Sequence, residues 1–183
     1  MSDAPWLVVI DMQRIFAEAP SPWASPRYAQ ASAGVRALLP HFGDRVVYTR
    51  YVAPAPDELD GAWKPYFELW PFALVPPTDP LYELMPELPW AGHEVVTKES
   101  FGKWSPELDQ AVGGSRELVL AGVSTDCCVI ATALPASDAG RHVRVVADAC
   151  AGLSPVDHQR ALDAMALFAP LIEITTVADV LAS

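Results

Sequence analysis

With 183 residues, 51% of them apolar and 19% charged, the chain is long enough for one domain with a sizeable core and too apolar to be disordered. Twenty-three acidic residues against twelve basic ones give a formal net charge of -11, which argues against nucleic acid as a partner, because displacing counterions from a phosphate backbone requires a basic face. No apolar run reaches membrane-spanning length, and three cysteines without a CxxC spacing suggest neither a disulfide framework nor a zinc site, so a reduced, cytoplasmic protein is expected.

Along the chain, strand and helix patterns alternate. Trp6 to Asp11 is a continuous apolar run ending in a carboxylate, which suits a strand covered on both faces. From Tyr28 to Leu39 apolar positions recur at helical spacing and stop before Pro40. Arg45 to Thr49 and Glu94 to Thr97 read as the second and third strands. Ser105-Pro106-Glu107 is a cap followed by proline at the first helical position, and Gly113-Gly114 stops that helix. Glu117 to Ala121 is a fourth strand, with a helix from Thr125 to Ala139, and His142 to Ala147 is a fifth. Ser154-Pro155 starts a helix running to Phe168, Leu171 to Ile174 is a possible sixth strand, and a short terminal helix follows. This alternation predicts a single α/β domain over residues 1–183, a three-layer α/β/α arrangement around a central parallel sheet of five to six strands. The exception is the stretch 51–92, which holds half of the prolines and the aromatic residues Trp63, Tyr66, Phe67, Trp70 and Phe72. A connection that long inside a compact domain is usually functional, and this one is expected to act as a lid or a subunit contact.

Three reactive side chains fall at equivalent topological positions: Asp11 at the end of the first strand, Lys98 at the end of the third, and Cys128 just after the fourth. Parallel strands put their C-terminal ends on one edge, where open α/β folds bind ligands, so the three can converge in one cleft. Each alone has a plainer explanation, as a turn former, a solvated lysine and a buried apolar thiol. A cysteine in the first helical turn also feels the positive end of the helix dipole, which favours thiolate. Because adjacent helical residues point about 100° apart, only one of Cys127 and Cys128 is expected to face the cleft.

Asp11-Met12-Gln13 after an apolar strand, Lys98 in Thr97-Lys98-Glu99-Ser100-Phe101, and Gly122-Val123-Ser124-Thr125-Asp126-Cys127-Cys128-Val129 together resemble the isochorismatase-like cysteine hydrolase superfamily. Thr132-Ala133 and Val146-Ala147-Asp148-Ala149 are similar to it as well, so the resemblance runs from Trp6 to about Ile174. The glycine-to-cysteine segment is its most specific part. The family pattern Thr-Asp-X-Cys-Val selects Cys128 as nucleophile and leaves Cys127, like Cys150, to packing. The resemblance implies a catalytic triad of Asp11, Lys98 and Cys128, an oxyanion hole from the backbone N–H groups of Ser124 and Cys128, and a cis peptide between Val123 and Ser124. It implies a hydrolase that cleaves a small amide, ureido or lactam-like C–N bond through a thioester. Phe16 matches an aromatic that lines the family's pocket, and Tyr51, Trp63 and Trp70 are candidates for further walls.

Metal-dependent relatives of the nicotinamidase type hold a divalent ion with an Asp-X-His pair after the second strand. Here that place reads Thr49-Arg50-Tyr51-Val52-Ala53, so no metal and no other cofactor is expected. Arg50 is the candidate local cation if the substrate is a carboxylate. Two other readings remain open: an isochorismatase-type vinyl ether hydrolase driven by Asp11, and a non-catalytic binding module on the same fold. The expected partners are a small-molecule substrate and further copies of the chain, as a dimer or tetramer, with neither nucleic acid nor membrane.

Overall fold

The computed structural model describes residues 4–183. Six strands form one sheet: β1 (Trp6–Ile10), β2 (Val46–Tyr51), β3 (Glu94–Lys98), β4 (Glu117–Val123), β5 (His142–Ala151) and β6 (Ile172–Thr175). They lie in the order β3-β2-β1-β4-β5-β6, and every neighbouring pair is parallel. Period-2 alternation sends the side chains of β1 to opposite faces. Leu7 and Val9 join a core under α2 (Tyr28–Phe42), which follows the single-turn α1 (Arg14–Ala17), while Val8 and Ile10 join a second core on the other face of the sheet. That second core lies beneath α4 (Pro106–Ala111), α5 (Ile130–Asp138) and α6 (Pro155–Ala166). Helices thus cover both faces, as the strand–helix alternation predicts. The short α7 (Val177–Leu181) packs beside α2.

Several boundaries differ from the sequence reading. The α2 helix runs through Pro40 to Phe42. Proline that close to a helix end removes only one of the last hydrogen bonds, and burial of Leu38 and Phe42 holds the final turn. The strand β5 extends to Ala151, past a register irregularity opposite Leu120 and Gly122. Gly122 has φ +122, and a Cβ there would lie 2.2 Å from the Ile10 carbonyl oxygen, so β4 and β1 approach at a distance only glycine permits.

The 51–92 stretch is not structureless. It contains α3 (Trp63–Leu69) and two 3-10 turns at Pro71–Ala73 and Pro80–Tyr82. Its limbs are tied together by the Tyr82 hydroxyl, which accepts from the Ala53 N–H at 3.1 Å and donates to the Ala73 carbonyl. No helix among the described residues is long and apolar enough to cross a membrane.

Candidate active site

The sheet order reverses between β1 and β4, and a topological switch point of this kind opens a crevice at the strand C-termini. Asp11 follows β1 directly and is fully buried, with a left-handed φ of 47°. Aspartate tolerates that region better than most residues, yet it still costs about 1–3 kcal/mol unless neighbours enforce it. The neighbours are explicit. Thr49, on β2, donates its hydroxyl to Asp11 Oδ1 at 2.7 Å and accepts the Asp11 N–H at 3.2 Å. Gln13, also buried, donates to the carbonyls of Tyr51 and Tyr82 at 2.8 Å each and accepts the Tyr51 N–H at 2.7 Å. The segment after β1 is thereby fixed to the end of β2 and to the 51–92 stretch.

The cation beside Asp11 is Lys103, where Lys98 was expected. Lys103 Nζ lies 3.0 Å from Asp11 Oδ2, and both side chains are completely buried. The ammonium also donates to the Ser100 carbonyl at 2.7 Å and sits 5.2 Å from the centre of the Tyr51 ring. A charge so deeply buried persists only when paired and hydrogen-bonded. Lys98 instead pairs with Glu107 at 3.4 Å in a partly exposed contact. The reason is topological. Lys98 ends the edge strand β3, in register with Tyr51, so all of β2 separates it from β1. Two strand spacings amount to roughly 10 Å. The chain must turn back before a lysine can reach Asp11, and Gly102 permits it: a Cβ there would lie 2.6 Å from the Ala131 carbonyl oxygen on α5. The Lys103 N–H then donates to Thr132 Oγ1 at 2.9 Å, and that hydroxyl donates to the Cys128 carbonyl at 2.7 Å. The turn carrying Lys103 is therefore anchored to the turn carrying Cys128.

Cys128 sits in a five-residue π-turn, Thr125–Val129, in place of the first turn of the expected α-helix. The Val129 N–H reaches the Ser124 carbonyl at 3.1 Å, an i→i+5 bond. The peptide between Val123 and Ser124 is cis. Cys128 is buried and faces Asp11. Burial first, and the Asp11 charge second, push its thiol well above the ordinary value of 9.0, against the opposing pull of Lys103. Burial thus works toward the neutral thiol, against the thiolate that the sequence reading favoured.

Above the thiol lies a cavity of about 130 Å³ walled by Phe16, Trp23, Tyr51, Tyr66, Trp70 and Phe101. Trp23 is its hub. It stacks on Phe16 (centroids 6.2 Å apart, planes at 10°) and meets Tyr51, Trp70 and Phe72 edge-on at 5.9, 6.0 and 4.9 Å. Phe16, Tyr51 and Trp70 line this cavity, while Trp63 does not. Trp63 lies behind the wall, against Tyr66 and Phe101 at 5.5 Å each, and opens on a neighbouring cleft. Cys127 lines the cavity together with Ser124 and Cys128, contrary to the expectation that only one of the adjacent pair would face it. The wider π-turn rotates successive side chains by less than an α-turn does, so both thiols reach the same space. Burial, then the Asp126 charge, push the Cys127 thiol to about 11.

Arg50 is absent from this wall. It projects from the opposite face of β2 to Thr49 and Tyr51, into a cleft shared with Arg14, Glu83 and Trp90. No group of three or more His, Cys, Asp or Glu side chains able to hold a metal ion occurs among the described residues.

Comparison with known proteins places this geometry in a family. A family model of the Isochorismatase domain matches residues 5–178. The chain is 40% identical over 84 residues to "Isochorismatase domain-containing protein 2" of Xenopus laevis, a match covering 44% of the chain and 41% of that relative's length. Among solved structures it superposes on an isochorismatase-like hydrolase from Alkaliphilus metalliredigens with a TM-score of 0.82, at 21% identity and with 97% of each chain covered. It also superposes on N-carbamoylsarcosine amidase from Thermoplasma acidophilum with a TM-score of 0.73, at 23% identity over 94% of this chain and 96% of that one. At such identities the structural likeness speaks for the fold, and the family model, which spans nearly the whole chain, speaks for descent. The chain belongs to the isochorismatase domain family.

Proposed function

We propose that the protein is a cysteine-dependent hydrolase that cleaves the C–N bond of a small amide, ureido compound or lactam through a thioester. The observation that carries this reading is a buried thiol facing a carboxylate that Lys103 and Thr49 hold in place, at the floor of an aromatic cavity. Oδ1 of Asp11 is occupied by Thr49, and among the described residues Oδ2 has no hydrogen-bond partner beyond its ion-pair contact with Lys103. The Asp11 carboxylate is the base that takes the Cys128 proton.

Attack begins with transfer of that proton to Asp11 as Sγ bonds to the substrate carbonyl carbon, so no stable thiolate is needed. Negative charge gathers on the carbonyl oxygen. The backbone N–H groups of Ser124 and Cys128 are the donors we assign to it, each worth roughly 3 kcal/mol of barrier. Asp11 then delivers the proton to the departing nitrogen, the C–N bond breaks, and an acyl-thioester remains on Cys128. Water attacks the thioester carbonyl and gives a proton to Asp11. Collapse then releases the acid and returns a proton to Sγ. Lys103 contacts the carboxylate that carries the proton and is given no contact with a substrate atom in this scheme. It holds the carboxylate and offsets its charge while the proton is away. The amidase among the superposed structures agrees with this class of reaction.

The test is ammonia release from a panel of small primary amides and carbamoyl compounds, with intact-mass detection of an acyl adduct on Cys128. Cys128→Ala should lose turnover by about 10⁴-fold or more, as happens when a covalent nucleophile is removed. Cys127→Ala should stay within about tenfold of wild type. Equal activity in the two variants would remove the thioester from the scheme. A vinyl ether probe whose hydrolysis survives Cys128→Ala but not Asp11→Asn would point instead to vinyl ether hydrolysis by the carboxyl group alone.

A further inference from the structure

Building on the amide-hydrolase reading, we infer that the cavity above Cys128 selects substrates whose acyl group is uncharged, apolar and no larger than about one six-membered ring. Its wall contains six aromatic side chains and no Lys, Arg, His, Asp or Glu. The polar groups among the lining residues are neutral ones: the Tyr51 and Tyr66 hydroxyls, the indole N–H groups, Ser124 and the two thiols. Burial raises both tyrosines, Tyr66 to about 12, so these hydroxyls carry no charge at neutral pH.

An anionic acyl group entering this space would leave water without meeting a cation. Two neighbouring cations are unavailable to it. Arg50 opens on a cleft beyond the wall, on the other face of β2. Lys103 lies behind Tyr51 and is committed to Asp11 and the Ser100 carbonyl. The net charge of -11 adds a long-range field that also disfavours anions.

A cationic acyl group meets the opposite difficulty. Aromatic faces attract it, but no carboxylate lines the cavity, and the charge of Asp11 is already offset by Lys103. A neutral group loses nothing of this kind and replaces a void with ring contacts. The size limit follows from volume: about 130 Å³ is close to the roughly 150 Å³ apolar cavity that accepts benzene.

The experiment compares benzamide, succinamate, glycine betaine amide and 2-naphthamide as representatives of neutral, anionic, cationic and oversized acyl groups. Initial rates of ammonia release are measured with the wild-type protein. Binding is measured by tryptophan fluorescence with Cys128→Ala, and with Cys128→Ser should the alanine variant fail to fold, since Trp23 and Trp70 report on the cavity directly. We expect kcat/KM for benzamide to exceed that for each of the other three by at least about 100-fold, and its Kd to be the lowest of the four. If succinamate or glycine betaine amide is hydrolysed as well as benzamide, the selectivity is wrong while the amide-hydrolase reading stands. If benzamide binds selectively but no amide is turned over by wild type, the selectivity stands and the hydrolase reading fails. If charged ligands bind as tightly as benzamide, the inference is overturned whatever the rates.

Discussion

Two lysines five residues apart in the chain carry opposite consequences for the protein. Lys103 Nζ is fully buried against Asp11, and its removal strands a carboxylate in the interior, an outcome that typically costs 3–5 kcal/mol. Lys98 makes a partly exposed pair with Glu107, the kind worth at most about 1 kcal/mol. Lys103→Met should therefore lower the denaturation midpoint markedly and abolish turnover, while Lys98→Met should leave both near wild type. Chemical denaturation and initial rates on the two variants check this, and a reversed order would return the catalytic lysine to the end of β3. Asp11 and Cys128 stand out in the sequence because Asp11 directly follows β1 and Cys128 lies in the turn after β4, the two central strands. Lys103 was not legible by that rule, since it lies in a loop that returns from the edge strand to the middle. Gly102 directly before it was the available signal, marking a close backbone approach. Trp23 was missed for a similar reason: it belongs to no periodic element, and only the prolines flanking it at 20, 22 and 26 announce an ordered turn.

At the level of elements, strand and helix order could be read from hydrophobic period, but the shape of the 51–92 stretch could not. Its order comes from side chains reaching across many residues, as Tyr82 reaches Ala53 and Ala73 and as Gln13 reaches Tyr51 and Tyr82. The π-turn at Thr125–Val129 was equally hidden, because its sequence suits an α-helical start and the wider turn depends on what packs around it. His158 on α6 meets Thr125 Oγ1 at 2.8 Å and holds the beginning of that turn. The 51–92 stretch supplies Tyr51, Tyr66 and Trp70 to the cavity, while the limbs that the Tyr82 hydroxyl joins, at Ala53 and Ala73, lie outside the cavity lining. Tyr82→Phe removes the hydroxyl that joins its limbs and leaves the buried Ala53 N–H and Ala73 carbonyl without that partner. The expected cost is about 1–3 kcal/mol of stability. Because the damage is to a wall and not to the reacting groups, KM should rise several-fold while kcat changes by less than about threefold. A fall in kcat at unchanged KM would instead place Tyr82 in the path of the chemistry.

For the molecule as a whole, the buried thiols couple stability to alkaline pH. Cys150, 2% exposed beneath α6, is pushed to about 12 by burial, and Cys127 to about 11, while Cys128 moves the same way. A raised thiol pKa means that the folded state keeps its proton where the unfolded chain releases it. The stabilisation is therefore complete below the ordinary value of 9.0 and is lost as pH climbs from there towards the folded value. Tyr48, buried and pushed to about 12, adds to the same trend from about 10 upward. For Cys150 alone, two pH units of this window correspond to about 2–3 kcal/mol. In a chain of this length that is a loss of roughly 5–10 °C in Tm. Thermal unfolding at pH 8, 9, 10 and 11 should show a decline that steepens above pH 9. Cys150→Ala should start lower at pH 8, because it opens a small void in the second core, yet lose less between pH 9 and 11 than wild type does. The two curves should converge with rising pH. Parallel curves would mean that the Cys150 thiol ionises as readily in the folded protein as in the unfolded chain, and that the alkaline limit of the fold is set by its tyrosines and the other two thiols.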